Sequence, residues 1–169
     1  NIFLNCSAYL AVGRVNRAYY LAHSISEDKI FHMPYAVDNS FFNVRATTEA
    51  GLNFRRELGI EDQQKIVLFA GKFTARKKPD ILLEAWERAD WSASNRPALV
   101  YVGDGQLKQS LLTATERSRY KDDIYFTGFR NQTELPGVYR AADVFVLASE
   151  KEPWGLGINE AMASGAAVI

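Results

Sequence analysis

Four short apolar runs, separated by stretches of helical character, limit this chain to one kind of architecture. Ile66-Val67-Leu68-Phe69-Ala70, Leu99-Val100-Tyr101-Val102, Ile124-Tyr125-Phe126 and Asp143-Val144-Phe145-Val146-Leu147-Ala148 read as buried strands. Residues 80–89 follow the first run and carry Ile81, Leu82, Ala85 and Trp86 at helical spacing. A helix over 106–118 follows the second, one short helix within 132–141 the third, and a helix around Glu160 the fourth. Val168-Ile169 then begins another strand. Strand–helix units joined by short loops predict an α/β domain: a mostly parallel sheet with helices on both faces. In such sheets ligands sit at the carboxyl ends of the strands, where the strand order reverses.

The segment before residue 66 is less regular. Tyr9-Leu10-Ala11-Val12 is a short strand candidate ending at Gly13, followed by a helix over 14–23 and a turn over 26–29. Ile30-Phe31-His32-Met33 is a second short strand that Pro34 halts. Polar, turn-prone residues over 38–43 lead into a charged helix over 47–58, which Gly59 ends.

The chemistry-bearing residues fall where strands end. After the first run comes Gly71-Lys72-Phe73-Thr74-Ala75-Arg76-Lys77-Lys78-Pro79, with four cations within seven positions. Lys72 and Lys77 can converge on one anion, whereas Arg76 and Lys78 read as surface charges. After the second run, Gly103-Asp104-Gly105 hints at a dinucleotide fold, but no third glycine follows at the required spacing. After the third stand Gly128, Phe129 and Arg130.

The fourth run leads into the most informative stretch of all. Glu152 stands at a loop entrance, and Glu160 follows eight residues later on the first turns of a helix. Between them Gly155, Leu156 and Gly157 leave backbone amides uncovered. Carboxylates accept from sugar hydroxyls, and bare amides at a helix start receive an anion. That arrangement suits a ligand carrying both hydroxyls and phosphate. Glu150 also precedes this loop, but spacing favours Glu152; Trp154 reads as a core residue.

Composition removes several other classes. Lysine plus arginine and aspartate plus glutamate are both 20, so no global field draws the chain to nucleic acid or anionic lipid. The single cysteine, Cys6, excludes an internal disulfide and a cysteine-based zinc cage, and its apolar setting suggests a buried structural thiol. His23 and His32 lack metal-ligand spacing, and no Ser-His-Asp arrangement or carboxylate cluster for a divalent ion is readable. No apolar run approaches a membrane span, and the start does not resemble a signal peptide. The first residue is Asn rather than Met, and the last residues read as a strand just beginning, so part of a longer protein is expected.

Glu-x7-Glu with an internal Pro-aromatic-Gly, followed by Glu-Ala-Met-Ala-Ser-Gly, resembles the donor-sugar signature of the family 4 (group 1) retaining glycosyltransferases. Lys72 and Lys77 match the family's Gly-Arg/Lys and its lysine five residues on; Gly103 lies in a turn similar to the family's, and Phe129 and Arg130 stand where the family meets the nucleobase. The opening segment, with Pro34-Tyr35-Ala36-Val37-Asp38, is similar to the end of the family's amino-terminal domain and its hinge. The resemblance implies residues 1–45 as that end and linker, and residues 46–169 as a Rossmann-like donor domain, the carboxyl-terminal half of a GT-B enzyme.

The same resemblance, and nothing else in the sequence, implies a chemistry. A nucleotide-diphospho-sugar is the substrate, with no cofactor and no metal. Lys72, Lys77 and Glu152 are the catalytic residues it implies; Gly71, Gly103, Phe129, Arg130, Gly155, Leu156, Gly157 and Glu160 are those implied to bind the donor. On this resemblance Glu152 faces the sugar and Glu160 the ribose. The acceptor, a glycan or lipid-linked hydroxyl, is expected to be recognised by an amino-terminal domain that completes the site. The full-length parent is expected to be cytoplasmic or peripheral at the inner membrane face. Two alternatives stay open: a non-catalytic sugar-nucleotide or carbohydrate-binding domain, and a nucleotide-sugar epimerase of the same fold.

Overall fold

The computed structural model describes residues 5–92 and 95–169. The chain divides into two compact units, Asn1–Ala36 and Val37–Ile169. In the first, β1 (Tyr9–Ala11), α1 (Arg14–Ala22) and β2 (Ile30–His32) form a parallel strand–helix–strand unit with Tyr9 opposite Ile30. Cys6 is exposed, contrary to expectation: it precedes the paired register, which begins only at Tyr9.

The second unit holds α2 (Asn39–Arg45), α3 (Thr48–Leu58), β3 (Ile66–Ala70), α4 (Pro79–Arg88), β4 (Ala98–Val102), α5 (Lys108–Thr115), β5 (Ile124–Gly128), α6 (Leu135–Ala141), β6 (Val144–Phe145), α7 (Leu156–Ala163) and β7 (Ala167–Val168). Its five strands pair in the order β5-β4-β3-β6-β7, and every pairing is parallel. The order reverses between β3 and β6, which makes their carboxyl ends the switch point of a Rossmann-like fold.

Because strand side chains alternate between faces, each apolar run supplies two cores. Ile66, Leu68, Ala98, Val100 and Val102 face one cluster with Phe42, Phe54, Tyr139, Phe145 and Ala161, from α2, α3, α6, β6 and α7. Phe69, Leu99 and Tyr101 face the other with Leu82, Leu83, Trp86 and Leu111, from α4 and α5. Tyr101 stacks on Phe126 at 4.9 Å and donates its hydroxyl to the Pro79 carbonyl at 2.9 Å. At the opposite end of the sheet the nearly buried Arg55 donates to the carbonyls of Gln64 (2.6 Å) and Ala141 (2.7 Å), tying α3 to that end.

Three elements differ from the sequence reading. Residues expected as a turn form α2, because the Asp38 carboxylate accepts from the Phe41 N–H at 2.9 Å and Phe42 is buried. The helix expected over 106–118 is regular only at Lys108–Thr115. The last strand run is regular only at Val144–Phe145, although Val146 still donates to the Leu68 carbonyl at 2.8 Å and Leu147 to that of Ile169 at 2.9 Å. Among the described residues, no helix is long and apolar enough to cross a membrane.

The loops after β3 and β4 touch backbone to backbone. The Gly71 N–H donates to the Val102 carbonyl at 2.9 Å, Phe73 to that of Asp104 at 2.9 Å, and Leu107 to that of Phe73 at 3.0 Å. Only glycine permits this approach. A Cβ on Gly103, whose φ is +135°, would stand 2.0 Å from the Gly71 oxygen; one on Gly105, with φ +154°, would stand 2.6 Å from the Phe73 oxygen. Gly103→Ala is therefore expected to cost roughly 2–4 kcal/mol in urea unfolding, from backbone strain and overlap together. Gly13→Ala, at extended backbone with open space around the new methyl, should stay within about 0.5 kcal/mol of the wild type.

Candidate functional site

A cavity of about 490 Å³ opens at the carboxyl ends of β3, β4 and β5, beside the start of α7. Each strand supplies its own part of the wall. Ala70, Gly71 and Lys72 come from the end of β3, Val102 to Gly105 from the end of β4, and Phe129 and Arg130 from the end of β5. Leu135 and Tyr139 of α6 and Gly157 and Glu160 of α7 close the remaining side. Of the residues singled out by sequence, the cavity thus brings together Gly71, Lys72, Gly103, Phe129, Arg130, Gly157 and Glu160.

Lys77, Glu152, Gly155 and Leu156 lie outside that lining but close to it in the chain. The Lys77 ammonium donates to Glu152 Oε2 in a partly buried ion pair. A Cβ built on Gly155, the residue that caps the start of α7, would stand 3.4 Å from Glu152 Cγ, so the pair sits beside the helix start. Partial burial works to raise the Glu152 pKa, yet the bond and charge of Lys77 hold the carboxyl below its ordinary range. Leu156 is exposed.

Arg76 is exposed and Lys78 lies in an exposed ion pair, as expected of surface charges, but both reach across to the loop after β6. Arg76 donates to the Lys151 carbonyl at 2.9 Å, its own carbonyl accepts from the Glu150 N–H at 3.0 Å, and Lys78 pairs with Glu150 at 3.5 Å. The basic loop after β3 and the acidic loop after β6 are therefore laced together. Lys78 also begins α4 in a left-handed conformation, with φ +48°. Trp154, expected in the core, is instead 38% exposed.

The other charged groups divide by partner. The Arg130 guanidinium bonds to Glu57 and, at 3.2 Å, to Glu134, so its side chain is tied to α3 and to the approach to α6. Glu57 first, and then Glu134, raises its pKa further against the opposing effect of burial. Phe129 is 78% exposed. Among the described residues Lys72 makes no ion pair, so its charge is available at the cavity wall. Glu160 Oε2 accepts from the Tyr139 hydroxyl at 3.0 Å.

Backbone groups complete the site. The Gly103 N–H donates to the Gly128 carbonyl at 2.8 Å, which joins the turns after β4 and β5. Among the described residues the N–H groups of Leu156 and Gly157, in the first turn of α7, have no acceptor. With Lys72 they offer positive potential to an anion, while the Glu160 carboxylate offers acceptors to hydroxyls. Among the described residues no group of three or more His, Cys, Asp and Glu side chains is placed to hold a metal ion. Sequence reading does not single out Tyr139 or Leu135. Both belong to α6, and no spacing relative to Glu160 reveals that a helix 21 positions upstream will lie against it.

Known proteins resemble the chain in both sequence and fold. Residues 52–169 match the family model described as glycosyl transferases group 1. The chain is 31% identical over 143 residues to an uncharacterised glycosyltransferase of Methanocaldococcus jannaschii, covering 85% of this chain and 36% of that protein. It is 30% identical over 177 residues to mannosylfructose-phosphate synthase of Agrobacterium fabrum, covering 99% of this chain and 38% of that one. It thus spans less than two fifths of the length of these relatives. The crystal structure of Anabaena HepE in complex with UDP superposes with a TM-score of 0.77 at 20% identity, over 96% of this chain and 44% of that chain; its complex with UDP-glucose gives 0.76 at 19%. At that identity the likeness is one of fold.

The Lys77–Glu152 pair leaves a signature in the pH dependence of stability. A carboxyl whose folded pKa is depressed stabilises fully above its unfolded value, about 4.3 for Glu, and that stabilisation disappears as pH falls through the folded value. The melting temperature of wild type should exceed that of Glu152→Gln at pH 7, and the gap should close as pH drops below about 4.

Proposed function

Because the chain belongs to the group 1 glycosyltransferase family, we propose that its cavity binds a nucleotide-diphospho-sugar, as the donor half of a retaining, GT-B, family 4 enzyme. The observation that carries this reading is the joint presence, at the sheet's switch point, of an unpaired lysine, uncovered helix-start amides and a carboxylate. Lys72 and the Leu156 and Gly157 amides meet the diphosphate, and Glu160 accepts from the ribose hydroxyls. The nucleobase lies against the Phe129–Arg130 backbone, since the Arg130 guanidinium is held by Glu57 and Glu134. HepE, whose structures contain UDP and UDP-glucose, supports the ligand class through its likeness of fold.

Transfer requires the anomeric bond to the diphosphate to break while an acceptor hydroxyl attacks with retention. The chemical demand is for positive charge at the leaving group as that bond lengthens. Lys72 and the first-turn amides supply it without a metal, and Lys77 joins them from beside α7. Because Lys77 is paired with Glu152, that carboxylate sets how much of the lysine's charge reaches the phosphate. In its turn Glu152 faces the sugar hydroxyls, orienting the donor rather than acting as nucleophile. The acceptor site belongs to an amino-terminal domain across the cleft, in keeping with the share of its relatives' length that this chain spans. The chain by itself then binds donor weakly and transfers nothing.

Calorimetry with UDP-, ADP- and GDP-sugars tests this reading. At least one nucleotide class should bind, and Lys72→Ala and Glu160→Gln should each weaken that binding about tenfold, as expected for losing one charge-assisted contact. Absence of binding by every donor, or conversion of the sugar without an acceptor, would overturn it.

A further inference from the structure

We propose that Tyr139 is a positioning residue for Glu160: its buried hydroxyl takes one carboxylate oxygen and leaves the other to accept from a ligand hydroxyl in the cavity. The inference rests on the reading of the cavity as a nucleotide-sugar site. It goes beyond that reading by assigning to α6 a share in recognition that neither glutamate motif contains.

The geometry around Tyr139 is that of a fixed donor. The residue is only 2% exposed, and its ring meets Phe145 edge-on at 5.5 Å and Phe42 at 6.2 Å. Phe145 lies in β6, so the last residue of a central strand sets the angle of the phenol. The hydroxyl reaches Glu160 Oε2 at 3.0 Å, and both residues line the cavity. An ionised carboxylate has no hydrogen to give, so the tyrosine donates. Burial first, and then the Glu160 charge, pushes the Tyr139 pKa well above that of an ordinary phenol, which keeps the donor protonated.

The two glutamates are held by different chemistry, and the difference matters for binding. Glu152 is gripped by an ammonium that cancels much of its charge. Among the described residues no cation pairs with Glu160, and its hydrogen-bond partner is a neutral phenol. A neutral donor orients a carboxylate without neutralising it. The second oxygen therefore keeps the full acceptor strength that recognition of a hydroxyl requires. Gly157 lies beside the same hydroxyl, where a Cβ would stand 3.5 Å from the Tyr139 oxygen, so the floor between phenol and cavity stays low.

Tyr139→Phe removes the donor and keeps the ring packing. Calorimetry with UDP, ADP and GDP and with their 2′,3′-dideoxy counterparts reads the consequence. We expect Tyr139→Phe to weaken the preferred ribonucleoside diphosphate about fivefold to tenfold, less than for a lost direct contact to a charged group because the tyrosine acts on the ligand only through Glu160. It should reduce the preference for ribose over dideoxyribose, with little change in melting temperature. In a Glu160→Ala background the same substitution should have no further effect on binding. If Glu160→Ala weakens binding and Tyr139→Phe does not, the positioning role is wrong while the site reading stands. If the Tyr139→Phe loss persists undiminished without Glu160, the tyrosine acts on its own and the proposal also fails. If wild type binds none of the three diphosphates, both readings fall together.

Discussion

All five strands of the larger sheet run in one direction, and everything at the site depends on that. A parallel sheet delivers each following loop to the same end. The segments after β3, β4, β5 and β6 are far apart in sequence, yet three of them wall one cavity and the fourth leads into the helix that closes it. Parallel pairing also demands strands that are buried on both faces, which explains why the runs are apolar throughout rather than alternating. The two cores use successive residues of the same strands, so the feature that stabilises the fold also aims the loops.

Within that frame, backbone contact holds the cavity's walls together. The turns after β3, β4 and β5 are hydrogen-bonded to one another through Gly71, Gly103 and Gly128, leaving little room for side chains between them. Charge is then distributed unevenly over this surface. Lys77 and Glu152 satisfy each other, Arg130 is shared by two glutamates, and Lys72 stands at the wall without a counter-ion among the described residues. The proposed recognition of an anion by a chain of zero formal net charge rests on this local imbalance, together with the start of α7.

Much of this is legible in the sequence, for reasons that also explain what is not. The runs at β3 and β4 announce themselves because burial on both faces forces uninterrupted apolar residues, and the shorter run of the edge strand β5 is legible although only Ile124 is buried there. Gly71, Lys72, Gly103 and Gly157 stand out because they follow strands or open a helix, where local spacing carries the signal. The α2 helix reads as a turn because its capping aspartate and asparagines are turn residues as well, and only the tertiary burial of Phe42 decides between them. Apolar character alone puts Cys6 and Trp154 in the core, and both are exposed. Tyr139–Glu160 and Glu57–Arg130 depend on how α3, α6 and α7 pack, and no local pattern encodes that; only the Arg130–Glu134 pair, four residues apart, is local.

On the function proposed above, the diphosphate of a nucleotide binds at this end of the sheet rather than at the other. Amide chemical shifts of the 15N-labelled chain during titration with a nucleoside diphosphate test it most directly. The largest shifts should fall at residues 71–72, 103–105, 129–130 and 156–160. Residues 61, 63–65 and 96, which line a polar cleft at the opposite end of the sheet, should stay unmoved. Shifts concentrated in that cleft, with the switch-point loops unaffected, would contradict it.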